Sequence, residues 1–332
     1  MQDNCQKRRQ RRYSNLFATI KKMDRTTKTK IAGIKLDSYI CNASGPLDST
    51  LEELENIANS TSSAIIMKSC TVEPREGNQK PRYTRLPLGS IQSMGLPNLG
   101  YAKYIEFSSQ LKKYNKPIVA SVAGLSAEDY QKMVRAFQNS DVDLIEVNLS
   151  CPNLEGESQV AYDFKQTEKV LRRISNLGKK PLGLKLPPYY DLTHHEKMAK
   201  LIKKYGISFI TCINSVGNTL IIDSETETPV IKPKKGFGGL CGDYIKPIAL
   251  ANVRTFYELL EGKVSIFGVG GIKSGRDAFE FLLAGANAVQ IATSFEKEGP
   301  VCFSRINNEL EEILLKKNYN SIEEARGKLK CL

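Results

Sequence analysis

The chain has 332 residues, of which 41% are hydrophobic and 25% are charged, and this is the ordinary composition of a globular protein. Its length suits one large barrel-type domain or two smaller domains. The net charge of +12 is concentrated in residues 1–30, where ten Lys and Arg face two acidic residues, so the rest of the chain carries only +4. Because non-specific binding to nucleic acid requires a basic face on the folded body, we expect no nucleic-acid partner.

The basic leader, residues 1–30, contains Lys7-Arg-Arg-Gln-Arg-Arg and is predicted to be disordered, with a localisation patch or a transit peptide as alternatives. No apolar run reaches the ~20 residues that a membrane-spanning helix needs. The eight cysteines show no CxxC spacing, which argues against a zinc site or a disulfide framework. We therefore expect a soluble, cytoplasmic protein with no membrane partner and no metal; mitochondrial import through the leader is the minor alternative.

From residue 39 onward, short apolar runs alternate with stretches of helical periodicity. The predicted strands cover residues 39–42, 64–68, 117–122, 144–149, 182–186, 209–214, 265–269 and 288–292. The helices predicted between them include residues 51–58, 127–138, 164–174, 191–205 and 277–283. Eight nearly continuously apolar strands that alternate with helices predict one α/β domain, residues 31–332, folded as a (β/α)8 TIM barrel.

Two long connections interrupt this alternation, residues 71–101 after the second strand and residues 220–242 after the sixth. The second contains Pro229 and the cluster Gly236-Phe-Gly-Gly, and it predicts a β-ribbon excursion rather than a separate domain. Long loops at the carboxyl end of a barrel usually cover the active site.

Polar residues recur where the predicted strands end, which is where barrel active sites lie. Lys68 and Lys185 each stand in an otherwise apolar strand, and a buried lysine is costly without an anionic partner, so together they indicate an anionic ligand. The other candidates are Ala43, Ser44, Ser69, Asn148, Cys151, Asn214, Ser215, Gly270, Gly271, Ala292 and Thr293.

The segment Asn148-Leu-Ser-Cys-Pro-Asn follows the fourth strand. A cysteine abstracts protons once its thiolate is stabilised, and the carboxamides of Asn148 and Asn153 offer donors and acceptors to a polar ring. The segment therefore predicts proton-transfer chemistry at Cys151. The two histidines, His194 and His195, fall in the first turn of a predicted helix, where a solvated role is expected.

The glycine-rich run Gly268-Val-Gly-Gly-Ile-Lys-Ser-Gly ends the seventh strand, and Ala292-Thr-Ser ends the eighth. Glycines let backbone N–H groups approach a phosphate closely, and barrel phosphate sites are often formed by these two loops. The residues alone do not distinguish flavin mononucleotide (FMN) from another phosphorylated ligand.

Many ordered motifs resemble those of the class 1A dihydroorotate dehydrogenases, from about residue 31 to the end. They are Asn42-Ala-Ser-Gly, Lys68-Ser, Arg75-Glu-Gly-Asn, Pro81-Arg-Tyr, Ser93-Met-Gly-Leu-Pro-Asn, Asn148-Leu-Ser-Cys-Pro-Asn, Ala161-Tyr-Asp-Phe, Gly183-Leu-Lys-Leu-Pro, Asn214-Ser-Val-Gly-Asn, Lys234-Lys-Gly-Phe-Gly-Gly and Gly270-Gly-Ile. The resemblance implies a TIM barrel with bound FMN, a mobile lid loop after strand four, and a homodimer. It also implies oxidation of (S)-dihydroorotate to orotate in pyrimidine (UMP) biosynthesis, with fumarate reduced to succinate.

By this resemblance Cys151 is the base that removes the C5 proton of the substrate, and Lys68 and Lys185 complete the catalytic set. The implied substrate-binding residues are Lys68, Gln92, Ser93, Met94, Gly95, Leu96, Asn148, Asn153, Asn214 and Ser215. The implied FMN-binding residues are Ala43, Ser44, Lys68, Ser69, Asn148, Lys185, Ile213, Gly242, Gly270, Gly271, Ala292 and Thr293. The serine base and the N-terminal membrane helix of class 2 are not visible, and the motifs look less like those of class 1B.

Two positions depart from the family pattern. Gln92 stands where the family has an asparagine, and its longer stem moves the amide by over ~1 Å, enough to weaken or redirect a hydrogen bond. Glu157 reverses the charge of a usual lysine in the lid, and Lys235 is its hypothetical compensating partner. These departures leave two alternatives to a class 1A enzyme: an FMN oxidoreductase with altered substrate preference, or a non-catalytic flavin-binding descendant.

Overall fold

Short apolar strands form the centre of the molecule, whose computed structural model describes residues 26–150 and 159–332. The strands are β1 (Thr29–Ile31), β2 (Ile34–Leu36), β3 (Ile40–Asn42), β4 (Ile65–Cys70), β5 (Tyr83–Leu86), β6 (Gly89–Gln92), β7 (Ile118–Val122), β8 (Leu144–Asn148), β9 (Leu182–Leu186), β10 (Phe209–Cys212), β11 (Val216–Leu220), β12 (Ile222–Asp223), β13 (Thr228–Pro229), β14 (Phe237–Gly242), β15 (Ser265–Val269) and β16 (Ala288–Ile291). Eight of them pair in parallel in the order β3-β16-β15-β10-β9-β8-β7-β4.

Amphipathic helices surround this sheet and bury their apolar faces against it. Several begin with a side chain that accepts a hydrogen bond from the first helical turn, such as Thr50, Ser126, Asp163 and Ser274. The helices are Leu51–Ala58, Tyr101–Leu111, Ala127–Gln138, Phe164–Ile174, Leu192–Lys204, Lys246–Leu259, Gly275–Ala284, Thr293–Glu298, Val301–Lys316 and Ile322–Ala325.

The predicted barrel is confirmed. Each of the eight predicted strands forms within two residues of its predicted bounds, and the helices Leu51–Ala58, Ala127–Gln138 and Phe164–Ile174 match their predicted bounds. The lower half of the barrel is filled by buried side chains, among them the edge-to-face rings of Phe209 and Phe267. The hairpin of β1 and β2 closes this amino-terminal end with Ile31 and Leu36, so the ligand site must lie at the opposite end.

Residues 26–30 belong to this folded body, although the composition assigned them to the leader. Thr29 is buried in the hairpin, and the Thr26 N–H donates to the carbonyl of Asn320 at 3.2 Å. The predicted boundary after residue 30 therefore lies too late in the chain, because charge composition does not reveal short pairing segments. The rest of the leader, residues 1–25, falls outside the described residues. Within the described residues, no helix is long and apolar enough to cross a membrane.

A side chain closes the barrel between its first and second strands. The fully buried carboxamide of Asn42 in β3 donates from Nδ2 to the Ile66 carbonyl at 2.7 Å and accepts from the Ile66 N–H at 3.0 Å. It therefore takes the place of a peptide group in the ladder between β3 and β4, and the backbone of Ile66 depends on it.

We expect Asn42→Leu to lower the free energy of unfolding by about 2–6 kcal/mol, because it leaves two buried polar groups of Ile66 without partners. Urea denaturation followed by circular dichroism measures this change. Asn139→Leu is the matched control, since the exposed Asn139 amide bonds only its own helix at Arg135 and should cost less than about 1 kcal/mol. Equal losses for the two variants would contradict the role of Asn42.

A small antiparallel sheet covers the carboxyl end of the barrel. Its strand order is β11-β14-β6-β5, and it joins the excursion after the second barrel strand to the excursion after the sixth. The predicted β-ribbon after strand six is thereby confirmed. The hairpin of β5 and β6 was not predicted, and we call the complete four-stranded sheet the roof. The predicted lid loop after strand four lies largely in residues 151–158, outside the described residues.

Candidate active site

A cavity of about 520 Å³ lies between the carboxyl ends of the barrel strands and the roof. Its volume falls within the range of about 300–1,000 Å³ that is common for small-molecule sites. It brings together most of the site residues predicted from the sequence: Ala43, Ser44, Lys68, Ser69, Gln92, Met94, Leu96, Asn148, Lys185, Ile213, Asn214, Ser215, Gly242, Gly270, Gly271, Ala292 and Thr293.

The two predicted lysines enter the cavity and contact the loop that follows β3. Lys185 is 4% exposed, and its ammonium group donates to the Ser44 carbonyl at 3.1 Å. The ammonium group of Lys68 donates to the carbonyl of the next residue, Gly45. The Ser44 carbonyl solvates the Lys185 cation without neutralising it, and Lys68 also lies 3.7 Å from the buried carboxylate of Asp48. Two cations facing one carboxylate leave the cavity with positive charge, which favours an anionic ligand.

The two carboxamides of Asn148 and Asn214 are held in place by neighbouring residues. Asn148 pairs in register with Lys185, its Nδ2 donates to Ser69 Oγ at 3.1 Å, and its Oδ1 accepts from Ser150. Asn214 Nδ2 donates to the Ser150 carbonyl at 2.9 Å, and its Oδ1 accepts from the Ser215 N–H at 2.8 Å. Their side chains are therefore oriented before any ligand binds, which lowers the entropic cost of recognition.

Hydroxyl groups continue this network into the barrel. Ser69 Oγ lies 3.0 Å from Ser44 Oγ and 2.8 Å from Ser121 Oγ, and Ser121 donates to the buried carboxylate of Glu146 at 3.0 Å. Thr211 donates to the other carboxylate oxygen at 2.7 Å. The strand register places these residues side by side, so the network fixes the floor of the cavity.

The predicted phosphate corner is built from backbone and glycine. Gly271 has φ +69°, and a Cβ there would lie 2.8 Å from Lys246 Cβ and 2.9 Å from the Gly242 carbonyl. Only glycine fits this position without displacement of its neighbours. Gly270 and Gly271 after β15 and Thr293 after β16 line the same cavity, in the two loops that often form barrel phosphate sites.

Two predicted substrate-binding residues do not line the cavity. Ser93 is fully buried, and its carbonyl accepts from Asn78 Nδ2 at 3.1 Å. Gly95 has φ +72°, and a Cβ there would lie 2.2 Å from Asn78 Oδ1. The contacts of Ser93 and Gly95 with Asn78 fix the loop that carries Met94 and Leu96. Ser93 and Gly95 therefore support the cavity wall and do not line it.

Gln92 lines the cavity, but its amide bonds to the protein. Nε2 donates to Ser215 Oγ at 3.2 Å, and Oε1 accepts from the Met94 N–H at 3.1 Å. The amide of Gln92 thus bonds to Ser215 and to the backbone of Met94, and whether an asparagine would reach the substrate instead stays a prediction.

Among the residues that sequence reasoning missed, Gln290 and Cys241 line the cavity, and Asp48 lies buried behind it. Gln290 stands in the apolar strand β16, and its Oε1 is buried with no hydrogen-bond partner among the described residues. Gln290 could have been found from the pattern that singled out Lys68 and Lys185, which is a polar residue inside an apolar strand. Asp48 lies fully buried beside Lys68, and Cys241 in β14 lines the cavity.

The predicted base, Cys151, and the predicted ligand Asn153 lie outside the described residues. Burial raises the pKa of Cys241 to about 11 and raises the pKa values of Cys41, Cys70 and Cys212 well above the usual range. These four cysteines are therefore thiols at neutral pH and poor bases.

The histidines lie away from the cavity. His194 is partly exposed, and its Nδ1 lies 2.6 Å from Asp191 Oδ2. The prediction of a solvated side chain is wrong for His195, which is buried among Tyr189 and Phe256 with Nε2 3.1 Å from Asn252 Oδ1. The ring of His195 faces the core between the helices and the sheet. Its packing there, and not its position in the first helical turn, determines its burial. No cluster of metal-binding side chains occurs within residues 26–150 and 159–332.

Comparisons with known proteins give one consistent family. A family model for dihydroorotate dehydrogenase matches residues 26–314. The chain is 50% identical over 308 residues to the dihydroorotate dehydrogenase A (fumarate) of Lactococcus lactis subsp. cremoris and 50% identical over 309 residues to that of subsp. lactis. Both alignments cover 92% of this chain and 99% of the relative.

The fold agrees with this assignment. The crystal structure of ligand-free DHODH from Eimeria tenella superposes with a TM-score of 0.80 at 20% identity, over 92% of each chain. A second structure of that protein, in complex with ferulenol, gives a TM-score of 0.77 at 19% identity, over 91% of this chain and 88% of the other. At these identities the likeness shows the fold alone. The family model and the bacterial relatives confirm the resemblance carried by the motifs: the chain belongs to the dihydroorotate dehydrogenase family.

Proposed function

We propose that this protein oxidises (S)-dihydroorotate to orotate in pyrimidine biosynthesis, with FMN as the bound hydride acceptor and fumarate as the final electron acceptor, which becomes succinate. The observation that carries the proposal is the convergence of Lys68, Lys185, Asn148 and Asn214 on one cavity at the carboxyl end of the barrel. Relatives named for this activity at 50% identity support it.

The residues present fit FMN. The glycine corner of Gly270 and Gly271 offers backbone without side chains to a phosphate, and Lys185 offers a cation to a ring that gains negative charge. Gln290 Oε1, a buried acceptor with no hydrogen-bond partner among the described residues, is suited to a ligand N–H group. When bound, FMN supplies the chemistry of hydride acceptance, which no side chain provides.

The substrate is a cyclic ureide that bears a carboxylate, so it requires a cation and carboxamides of fixed orientation. Lys68 supplies the cation, and Asn148 and Asn214 supply carboxamides that their neighbours already hold. The network below the cavity keeps the two carboxamides from rotating, so they position the ring without first having to reorient.

We assign the removal of the C5 proton of the substrate to Cys151. The motif that contains it begins at Asn148, whose carbonyl accepts from the Tyr130 hydroxyl at 2.8 Å, so the end of β8 is firmly anchored next to the cavity. Four of the described cysteines do not compete for this role, since burial raises the pKa values of Cys41, Cys70, Cys212 and Cys241. A homodimer and a cytoplasmic location complete the proposal, and sedimentation equilibrium of the purified protein tests the dimer.

Anaerobic titration of the purified protein with L-dihydroorotate tests the function. We expect the visible flavin absorbance to bleach at one equivalent per site and to return on addition of fumarate. A yellow protein that dithionite bleaches and dihydroorotate does not would overturn the proposal. Bleaching by another reduced ring compound would then support an altered substrate, and no turnover with any such compound would indicate a non-catalytic flavoprotein.

Replacing Gln92 by leucine is expected to raise KM for dihydroorotate about 3- to 30-fold and to change kcat by less than threefold. The variant removes the bonds that hold Ser215 Oγ and the Met94 N–H, worth about 0.5–1.5 kcal/mol each. Steady-state kinetics measure both constants. Thr84→Val is the matched control in the same hairpin, since the Thr84 hydroxyl bonds the Val230 carbonyl, which follows β13. An unchanged KM for the leucine variant would contradict this role of Gln92.

A further inference from the structure

Asp48 is a fully buried carboxylate directly behind Lys68. It stands in the loop after β3, and its Oδ2 accepts from the Gly45 N–H at 2.7 Å. Its Oδ1 is buried with no hydrogen-bond partner among the described residues and lies 3.7 Å from Lys68 Nζ. A buried carboxylate with one unsatisfied oxygen is costly, so its contact with the ammonium group is its main compensation.

Lys68 is attached to the same loop at two points. Its backbone N–H donates to the Asp48 carbonyl at 3.1 Å, and its ammonium group donates to the Gly45 carbonyl. The side chain is 15% exposed and lines the cavity. The ammonium group therefore lies between a buried carboxylate on one side and the ligand cavity on the other.

Three ionisable groups act on the charge state of Asp48, and a fourth group is affected by Asp48 in turn. Burial raises its pKa to about 7; Lys68 and, less strongly, Lys185 oppose the rise, and Glu53 adds to it. The fourth is Tyr104, a neutral hydroxyl whose pKa is itself raised by burial, with Asp48 as a smaller cause. Any movement of the Lys68 cation away from Asp48 removes the largest electrostatic stabilisation of the carboxylate.

We propose that Asp48 is the counter-ion of Lys68 and takes up a proton from solvent when an anionic ligand in the cavity draws the ammonium group away. This inference rests on the proposed function, because it requires the site to bind a ring that bears a carboxylate. The proton binds to Asp48, no bond of the ligand changes, and the buried carboxyl group becomes neutral. Ligand binding and protonation of Asp48 are then thermodynamically linked.

The direction in which ligand affinity changes with pH follows from the ionisation state of Asp48 before the ligand binds. Below pH 7 the carboxyl group is already protonated, so binding takes up no proton and the affinity does not depend on pH. Above pH 7 the carboxylate must be protonated on binding, so affinity falls as pH rises. With one proton taken up, the Kd increases by up to about tenfold per pH unit.

Isothermal titration calorimetry of the FMN-loaded protein with orotate tests this proposal at pH 6 and pH 8, in pairs of buffers with different heats of ionisation. We expect uptake of nearly one proton at pH 8, almost none at pH 6, and a Kd about tenfold higher at pH 8. Asp48→Asn should abolish the uptake and the pH dependence, because asparagine accepts the same Gly45 bond without a titrating group.

Glu53→Gln is the matched control. Glu53 lies near Asp48 and caps the helix Leu51–Ala58, and it does not line the cavity. Its variant should retain the proton uptake of the parent protein. Orotate binding by the parent without proton uptake at pH 8, or uptake that persists in Asp48→Asn, would overturn the role of Asp48 and leave the proposed function intact. No orotate binding at either pH would overturn the proposed function together with it.

Discussion

Replacing Cys151 by alanine is expected to slow the reduction of the bound flavin by dihydroorotate by about 10²- to 10⁴-fold, the range that a positioned general base contributes. On the proposed mechanism, the C5 proton of the substrate then loses its acceptor. Stopped-flow absorbance of the anaerobic protein measures the rate, and equilibrium binding of orotate measures retention of the site. We expect the orotate Kd to change by less than about tenfold.

Cys241 gives the matched control for this experiment. Its thiol lies in β14 at the cavity wall, and burial raises its pKa to about 11, so it is protonated at neutral pH. Cys241→Ala should therefore reduce its flavin at a rate within about threefold of the parent. If Cys151→Ala reduces its flavin as fast as the parent, Cys151 is not the base. If Cys241→Ala causes a large loss of the reduction rate, the base lies in the roof.

Lys185→Met is expected to lower the rate of flavin reduction by about 10²- to 10³-fold, because a buried cation near developing negative charge acts in a site of low dielectric constant. Methionine keeps most of the length and apolar volume of the side chain. Lys185 is 4% exposed, and the one hydrogen-bond partner of its ammonium group within the described residues is the Ser44 carbonyl. We also expect the midpoint potential of the flavin to fall, and spectroelectrochemistry measures it.

Lys180 is a matched lysine that lies two residues before β9, the strand that carries Lys185. Its ammonium group donates to the carbonyls of Ser140 at 2.8 Å and Val142 at 2.7 Å, and it does not line the cavity. Lys180→Met should lower the melting temperature and leave the reduction rate and potential within error of the parent. Equal effects of the two variants on the potential would show that Lys185 acts through stability alone.

The barrel was predictable because its strands are buried on both faces. Continuous apolar runs such as residues 182–186 and 265–269 are compatible with few structures other than buried parallel strands. The regular alternation of these strands with helices determines the topology. The hairpin of β5 and β6 was missed for the opposite reason. β5 alternates between exposed and half-buried positions, and β6 gains its partner from residues about 150 positions later, so no local pattern marks it.

The site was predictable where a polar side chain stands in an apolar strand. That rule found Lys68 and Lys185, and applied to β16 it would have found Gln290; Asn148 was found from its place at the end of a strand. It does not find Asp48, because a loop residue becomes buried only through the packing of the loop on the barrel. The supporting positions of Ser93 and Gly95 also depend on a distant partner, Asn78, which the motif alone does not reveal.

The roof has a consequence for engineering of specificity. In its central ladder Gly89 faces Gly242 and Gln92 faces Gly239, and a Cβ on Gly89 would lie 2.0 Å from the Cys241 carbonyl oxygen. At these glycines the backbones of β6 and β14 are therefore too close for a larger residue to be introduced into one strand without a change in the other. A loop transplanted from a relative must bring both excursions together, since each is shaped to the other across the mouth of the barrel.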